Sequence, residues 1–333
     1  MREHSSATVA SSVAVSGLFL AGLGVVAFSM TFPATVFALR GFDPLIVGAG
    51  RSVGAAILAA ATLLLTRAPW PSRQQVPGLI NVAVGVGVGF GVLSAIALGD
   101  VSASHAAVVG ALLPVATAIF AVLRAGERPS PMFWVASVTG ASAVIAYAIH
   151  QGLGRLKLAD GLLLVALVIG GLGYAEGGRL SRSMPGWRVI SWAVLLALPV
   201  SLPITALAVI AHPPHPGISA VAGLLYVSSI SMFFGFFAWY RGLATAGIAR
   251  ASQLQLAQPF LTLGLAAWLL GERTGPDAFI TAAIVIACVV ATQRARYVTA
   301  SSPGVSTSGS LPRVGMRQVE GMGERPHQAT LDQ

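Results

Sequence analysis

The composition of this 333-residue chain excludes a water-soluble globular protein. Charged residues make up 9% of the sequence, hydrophobic residues make up 55%, and the mean hydropathy is +0.80. A soluble domain of this length needs charges on roughly a quarter of its residues, so lipid must be the main solvent of this chain. The net charge of +9 does not indicate nucleic-acid binding, because the basic residues lie singly or in pairs between apolar runs, as they do beside membrane helices.

The apolar runs predict an all-α membrane protein with ten transmembrane helices. Each run is long enough to cross a bilayer at about 20 residues per helix, and none alternates as a barrel strand would. Residues 1–11 form a polar N-terminus, and residues 298–333 form a polar tail that we expect to be flexible. The predicted spans are 12–39, 44–66, 78–99, 102–123, 132–149, 160–181, 189–210, 218–240, 248–270 and 276–293.

The distribution of arginine predicts the orientation, because cytoplasmic loops carry an excess of basic residues. With a cytoplasmic N-terminus, the inside segments hold fifteen arginines. We therefore expect a multi-pass protein of the inner cell membrane with both termini in the cytoplasm. Trp239 and Tyr240 end the eighth span on the cytoplasmic side, where the expected place for both is the interfacial aromatic belt. The outside segments hold four basic residues, Arg40, Arg155, Lys157 and Arg273.

An internal repeat divides the chain into two halves. Five predicted spans separate the copies, an odd number, so the second half is expected to enter the membrane from the opposite side. We therefore predict two inverted five-helix repeats, 12–149 and 160–293, with a site between them near the membrane midplane. The residues Pro114, Gly126, Glu127, Arg128 and Pro131 recur 145 residues later as Pro259, Gly271, Glu272, Arg273 and Pro276.

The Pro-x11-Gly-Glu-Arg-x2-Pro ending of each half resembles the EamA domain of the drug/metabolite transporter superfamily. Two other features fit the same family: Asp43-Pro44 followed by Arg51 in the second span, and the stretch Phe28–Pro33 in the first. The resemblance implies a ten-helix exporter of small metabolites or amino acids, with its site between spans 1, 3, 4, 6, 8 and 9. We expect it to work by alternating access, either proton-coupled or facilitated.

Glu176 is the predicted charged contact or proton site. It lies in the glycine-rich stretch Gly170–Gly178, which also contains Tyr174, and the repeat offset makes Thr31 its counterpart beside a proline break in the first span. Since an acid inside a span faces a cavity or a partner, Glu176 either binds a substrate amine, carries a proton or pairs with Arg179 one turn later. The glycines and the proline predict locally unwound helices at the site.

Three further polar residues are assigned to the substrate or proton site. Gln253 and Gln255 open the ninth span, where they are expected either to hydrogen-bond between helices or to contact polar groups of a substrate. Arg51 lies about 12 Å into its span and either binds a carboxylate or pairs with Asp43 at the outer edge.

No cofactor and no metal is expected. The chain has no Walker A motif, and Cys288 is its one cysteine. Glu127 and Glu272 lie at helix boundaries, where we expect each to cap the next helix rather than act as a gate or proton carrier. The expected partners are a small-molecule substrate, membrane lipid and, in coupled transport, protons; a homodimer is left open. The alternative functions are a membrane-embedded enzyme acting on a lipid-linked substrate and a non-transporting scaffold or sensor.

Overall fold

The structure is a computed structural model that describes residues 2–125, 131–151, 157–246, 253–273, 275–284 and 286–288. The predicted cap Glu127 and the predicted tail 298–333 lie outside the described residues, as does the side chain of Gln253. Within the described ranges every regular element is a helix, which confirms the predicted all-α class.

Thirteen α-helices are numbered here in chain order, with two π-helical segments and one 3-10 segment between them. The π-helical segments are Ala83–Gly89 and Val227–Phe234, and the 3-10 segment is Gln253–Ala257. The α-helices are α1 Arg2–Ser29, α2 Thr31–Leu39, α3 Pro44–Leu65, α4 Val76–Val82, α5 Phe90–Ala97, α6 Ala103–Gly110, α7 Leu113–Ala125, α8 Pro131–Gln151, α9 Leu158–Leu180, α10 Gly186–Ala211, α11 Ile218–Tyr226, α12 Gly235–Ala246 and α13 Gln258–Leu270.

Seven helical stretches in the described part of the chain are long and apolar enough to cross a membrane. The 21-residue helix α8 and two shorter apolar helices, α13 and Pro276–Cys288, fall where the other three spans are predicted. The structure thus has a helix at each predicted span, while the count of ten membrane crossings stays a prediction. The seven stretches are Ser16–Leu39, Pro44–Leu65, Val76–Ala97, Ala103–Arg124, Leu158–Leu180, Gly186–Ala211 and Ile218–Thr245.

The positions at which helices change type follow the offset of the predicted repeat. Helix α7 begins at Leu113 and ends at Ala125, and α13 begins and ends 145 residues later. The π-helical segment Ala83–Gly89 shifted by the same offset falls on 228–234, inside the second π-helical segment. Two copies of one design therefore share their irregular turns as well as their helices.

Helix boundaries follow from local sequence signals. Asp43 lies at the N-cap of α3, where its carboxylate accepts a hydrogen bond from the backbone N–H of Leu45 at 2.8 Å, and Pro44 occupies the first turn. Helix α13 is followed by its C-cap Gly271, whose φ of 67° is the left-handed conformation that glycine adopts at little cost. The second copy of the Gly-Glu-Arg motif thus begins at a helix end.

The glycines of the third span allow the π-helical segment Ala83–Gly89 to pack closely against α9. A Cβ atom on Gly85 would clash with the backbone carbonyl of Ile169, and Gly173 faces the same segment from α9. Backbones approach this closely in membrane bundles when both faces carry small residues. The glycines of the third span therefore serve close packing of two helices.

One of the two expected helix breaks is present and the other is not. The first span is interrupted at Met30, between α1 and α2. The glycine-rich stretch Gly170–Gly178, by contrast, stays α-helical within α9, so the predicted unwinding there is wrong. The glycines lie against neighbouring helices instead. This backbone packing stabilises a helix that isolated glycines would loosen.

Candidate functional site

The break at Met30 brings polar groups of the first span into contact with the second half of the chain. The Thr262 hydroxyl donates a hydrogen bond at 2.8 Å to the carbonyl of Ser29, the last residue of α1. The hydroxyls of Thr31 and Ser231 lie 2.7 Å apart. The interrupted helix therefore has its freed backbone and side-chain groups satisfied from across the repeat interface.

Two adjoining cavities lie beside this break. The arginine cavity contains about 430 Å³ of empty space, including space open to solvent, and its polar lining residues are Thr31, Arg51, Tyr174, Ser231 and Gln258. The glutamine cavity contains about 360 Å³ of empty space, counted in the same way, and its polar lining residues are Gln255, Gln258 and Thr262. Both cavities are lined from both halves of the chain, and they share the wall residues Phe32, Phe90, Leu113 and Gln258.

Arg51 lies in the wall of the arginine cavity with 3% of its surface exposed. Its Nη2 donates a weak hydrogen bond to the sulfur of Met232 at 3.5 Å, and its guanidinium carbon lies 5.7 Å from the centre of the Phe90 ring. Its Nε has no hydrogen-bond partner, and no carboxylate of the described residues forms an ion pair with it. A buried guanidinium without a counter-ion is rare, since such groups are normally paired.

The predicted alternative for Arg51, an ion pair with Asp43, is wrong. The Asp43 carboxylate caps α3 and lies 3.5 Å from the imidazole of His212. Eight residues of helix separate Asp43 from Arg51, which corresponds to about 12 Å of rise, and the arginine side chain extends into the bundle instead.

Gln255 is buried in the wall of the glutamine cavity with 3% of its surface exposed. Neither its amide nitrogen nor its amide oxygen has a hydrogen-bond partner among the described residues. Buried amides are almost always satisfied, so this side chain offers a donor and an acceptor to whatever enters the cavity.

Tyr174 joins the arginine cavity to a cluster of aromatic rings. Its ring lies 5.6 Å from that of Phe236 and 5.9 Å from that of Trp239, and Phe28 packs on all three. Trp239 and Tyr240 are fully buried, so their predicted place in an exposed interfacial belt is wrong. The Tyr240 ring lies against Gly177 of α9, and the Cα and Cβ atoms of Trp239 lie against Gly24 of α1.

Glu176 is fully buried, and it lines neither cavity. Its carboxylate forms the predicted pair with Arg179, with Oε2 2.8 Å from Nη2, and a second, very short ion pair with Nε of Arg124 on α7. We call these three residues the glutamate cluster; it lies at the predicted cytoplasmic end of α7 and α9. Two guanidinium groups neutralise this acid without a ligand.

A second polar cluster lies at the opposite side of the bundle, at the predicted outer ends of α6 and α9. His105 near the start of α6 and Asp160 near the start of α9 are both buried, and the imidazole Nε2 lies 2.6 Å from the carboxylate. The Glu272 carboxylate accepts hydrogen bonds at 2.9 Å from the backbone N–H groups of Ala103 and Ser104. Glu272 therefore caps α6, a helix of the other repeat, and not the helix that follows it as predicted.

Sequence reasoning missed several residues of the two cavities. Ser231 lies in the second π-helical segment, whose extra residue per turn changes which side chains face inward. Leu113 was missed as well, although the offset of 145 residues pairs it with Gln258, which opens the ninth span with Gln253 and Gln255 and also lines both cavities. That symmetry was the signal that could have found Leu113.

Comparison with protein-family models matches the EamA-like transporter family twice, over residues 15–148 and 157–292. This chain belongs to the EamA-like transporter family. The two matches cover the two halves that the repeat defines, so this EamA protein is a multi-pass membrane transporter with a two-repeat architecture.

Curated relatives agree with the family. This EamA protein is 45% identical over 272 residues to the uncharacterized transporter YdeK of Bacillus subtilis (strain 168), covering 82% of this chain and 95% of the relative. It is 25% identical over 290 residues to a probable terminal-alkyne amino-acid exporter of Streptantibioticus cattleyicolor, covering 85% of this chain and 96% of the relative. One solved crystal structure shares the fold with a TM-score of 0.59 at 16% identity, over 83% of this chain and 98% of its own.

Proposed function

We propose that this transporter exports small polar metabolites or amino acids across the inner membrane by alternating access, with both termini in the cytoplasm. The observation that carries the proposal is the pair of adjoining cavities between the two halves of the chain. A site formed at the interface of two repeats can be exposed to either side of the membrane when one repeat rocks against the other. The relative named as an amino-acid exporter supports the choice of cargo.

Two polar clusters support alternating access as the mechanism. The glutamate cluster joins α7 to α9 at the predicted cytoplasmic end, and the His105–Asp160 pair joins α6 to α9 at the predicted outer end. We propose that these contacts close the two ends in turn. Breaking a contact of this kind costs little free energy when water hydrates its charges as that end opens. Half-exposed arginines can be hydrated in this way.

Glu176 is also the proposed proton site if export is coupled to the proton gradient. It is a buried acid within a membrane helix, which is the setting in which carboxylates carry protons in transporters. Protonation would release Arg124 and Arg179 and so weaken the glutamate cluster. The proposed polar substrate contacts are Thr31 and Tyr174, which line the arginine cavity, together with Gln253 and Gln255.

The proposed function is tested by counterflow in liposomes. Purified protein is reconstituted and assayed with a panel of radiolabelled amino acids and small amines, with and without a pH gradient, against protein-free liposomes. We expect saturable uptake of at least one class of solute, because alternating access opens the cavity to each side of the membrane in turn. Flux no greater than in protein-free liposomes for the whole panel would contradict the proposal.

A further inference from the structure

We propose that Arg51 binds the carboxylate of the substrate, so that this transporter selects small solutes with a carboxylate and an apolar body over simple amines. The inference deepens the proposed function, on which its transport part rests, while its binding part can be measured separately. It assigns a charge to the site, and that charge decides which end of an amino acid the protein holds.

The first argument is the geometry of the Arg51 guanidinium. The group is buried against the cavity, has one weak contact to a thioether sulfur and leaves its Nε without an acceptor. Arginine offers five N–H donors in a planar fork that matches a carboxylate with two parallel hydrogen bonds. An anionic ligand would supply the hydrogen-bond acceptor and the negative charge that this guanidinium lacks in the empty protein.

The second argument is the balance of charge in the two cavities. Among the described residues that line them, Arg51 is the one ionisable cation and no aspartate or glutamate takes part. Glu176, the acid that could have received an amine, is already neutralised by Arg124 and Arg179. An unaccompanied amine would therefore meet an uncompensated positive charge, whereas a carboxylate would cancel it.

The third argument is the chemistry around the charge. The walls shared with the glutamine cavity are mainly apolar, with Phe32, Phe90 and Leu113 next to Arg51 and the unpartnered amide of Gln255 further along. An α-ammonium group can be bound by the hydroxyls of Thr31 and Ser231 and by the ring faces of Phe28 and Tyr174. This set fits an α-amino acid with an apolar side chain.

Ligands that differ only at the carboxylate test the inference on the unaltered protein. L-leucine, L-phenylalanine and L-threonine are compared with their carboxamides, by thermal stabilisation of the purified protein and by counterflow in liposomes. We expect at least one free acid to bind at least about tenfold more tightly than its amide, since a charged partner left unpaired in a buried site is costly.

Variants of Arg51 separate a binding role from a structural one. Arg51→Gln should weaken binding of the preferred acid at least about tenfold, and Arg51→Lys should retain part of it, because lysine keeps the charge and loses the fork. The melting temperature of empty Arg51→Gln should be unchanged or higher, because the substitution removes an unpaired buried charge. Arg73→Gln, in the exposed connection before α4, is the matched control and should behave as the unaltered protein.

The outcomes distinguish the two proposals. Acid-selective binding that Arg51→Gln removes, without flux, supports the carboxylate site and contradicts the exporter. Flux that does not distinguish acid from amide, or that Arg51→Gln leaves unchanged, overturns the carboxylate site and leaves the exporter standing. If neither acid-selective binding nor flux is observed, both proposals are overturned.

Discussion

Arg51 and Glu176 are both buried charges on membrane helices, but their surroundings give them different tasks. Arg51 faces a cavity and has no acid beside it, while Glu176 lies between two arginines and faces no cavity. A charge that is already paired contributes to the connection between helices, and a charge that is unpaired is available to a ligand. We therefore propose closure as the role of Glu176 and substrate recognition as the role of Arg51.

Replacing Glu176 tests its proposed proton role. Glu176→Gln keeps the shape of the side chain and removes its charge, so we expect a pH gradient to stop accelerating flux while the melting temperature falls by only a few degrees. Half of each partner arginine is exposed and can be hydrated. Flux in the variant that still responds to the gradient as before would remove Glu176 from the coupling. Asp100→Asn, in the exposed turn after α5, is the control.

Among single residues, the sequence predicted which side chains line the cavities better than it predicted their contacts. Arg51, Tyr174, Thr31 and Gln255 were named, and all four line the cavities. The predicted ion pair of Arg51 with Asp43 was wrong because Asp43 is close in sequence yet about 12 Å away along the helix. Arg124 was likewise not assigned to Glu176, since their contact joins helices 52 residues apart in sequence.

Both π-helical segments contribute a residue to the lining of the arginine cavity. Ala83–Gly89 contributes Val86, and Val227–Phe234 contributes Ser231, at positions related by the 145-residue repeat. A π-turn adds one residue to the turn and so rotates the rest of the helix, which is why such turns are frequent at functional sites. The shared position in both repeats indicates that the cavity depends on both.

Gly85 tests whether close packing of the first π-helical segment is required. A Cβ there would clash with the Ile169 carbonyl, so we expect Gly85→Ala to lower the free energy of unfolding by about 1–3 kcal/mol through overpacking. Gly264→Ala is the matched control, because no atom of a neighbouring residue lies within 4 Å of its added Cβ. Thermal unfolding in detergent measures both, and equal stability of the two variants would contradict this account of the packing.

Helix positions were predictable from the sequence because apolar runs of membrane length have few alternatives in lipid. Helix type was not predictable, because an apolar segment such as Ala83–Gly89 has the same composition in an α-helix and a π-helix. The wrong expectation of unwinding at Gly170–Gly178 has the same origin. Glycine permits both a loosened helix and a close contact, and the neighbouring helix decides between them.

Contacts between the repeats hold the whole molecule together around the cavities. Thr31 meets Ser231, Thr262 meets the carbonyl of Ser29, and Glu272 caps α6 of the other half. The 145-residue offset predicted that two similar halves exist. It could not predict these cross-repeat contacts, since identical motifs on the two halves meet different partners in a folded protein.

Cysteine labelling tests the predicted ten-helix topology. Five predicted spans separate the α3–α4 connection from the α10–α11 connection, an odd number, so the two must lie on opposite sides of the membrane. In a chain carrying Cys288→Ser, we expect an impermeant maleimide added to intact cells to label His215→Cys and not Gln74→Cys, since both positions are exposed. Equal labelling of the two without lysis would contradict the predicted count or orientation.

The most direct test of the central claim is counterflow through a deliberately filled cavity. Leu113 belongs to the wall that both cavities share and is 5% exposed, so Leu113→Trp should reduce amino-acid flux at least about tenfold by occupying the substrate's volume. Leu261 is 42% exposed on the outer surface of α13, so Leu261→Trp should transport as the unaltered protein does. Both variants are first shown to be folded by their melting temperatures. Undiminished flux in folded Leu113→Trp would show that solute does not pass between the repeats, and would contradict the account.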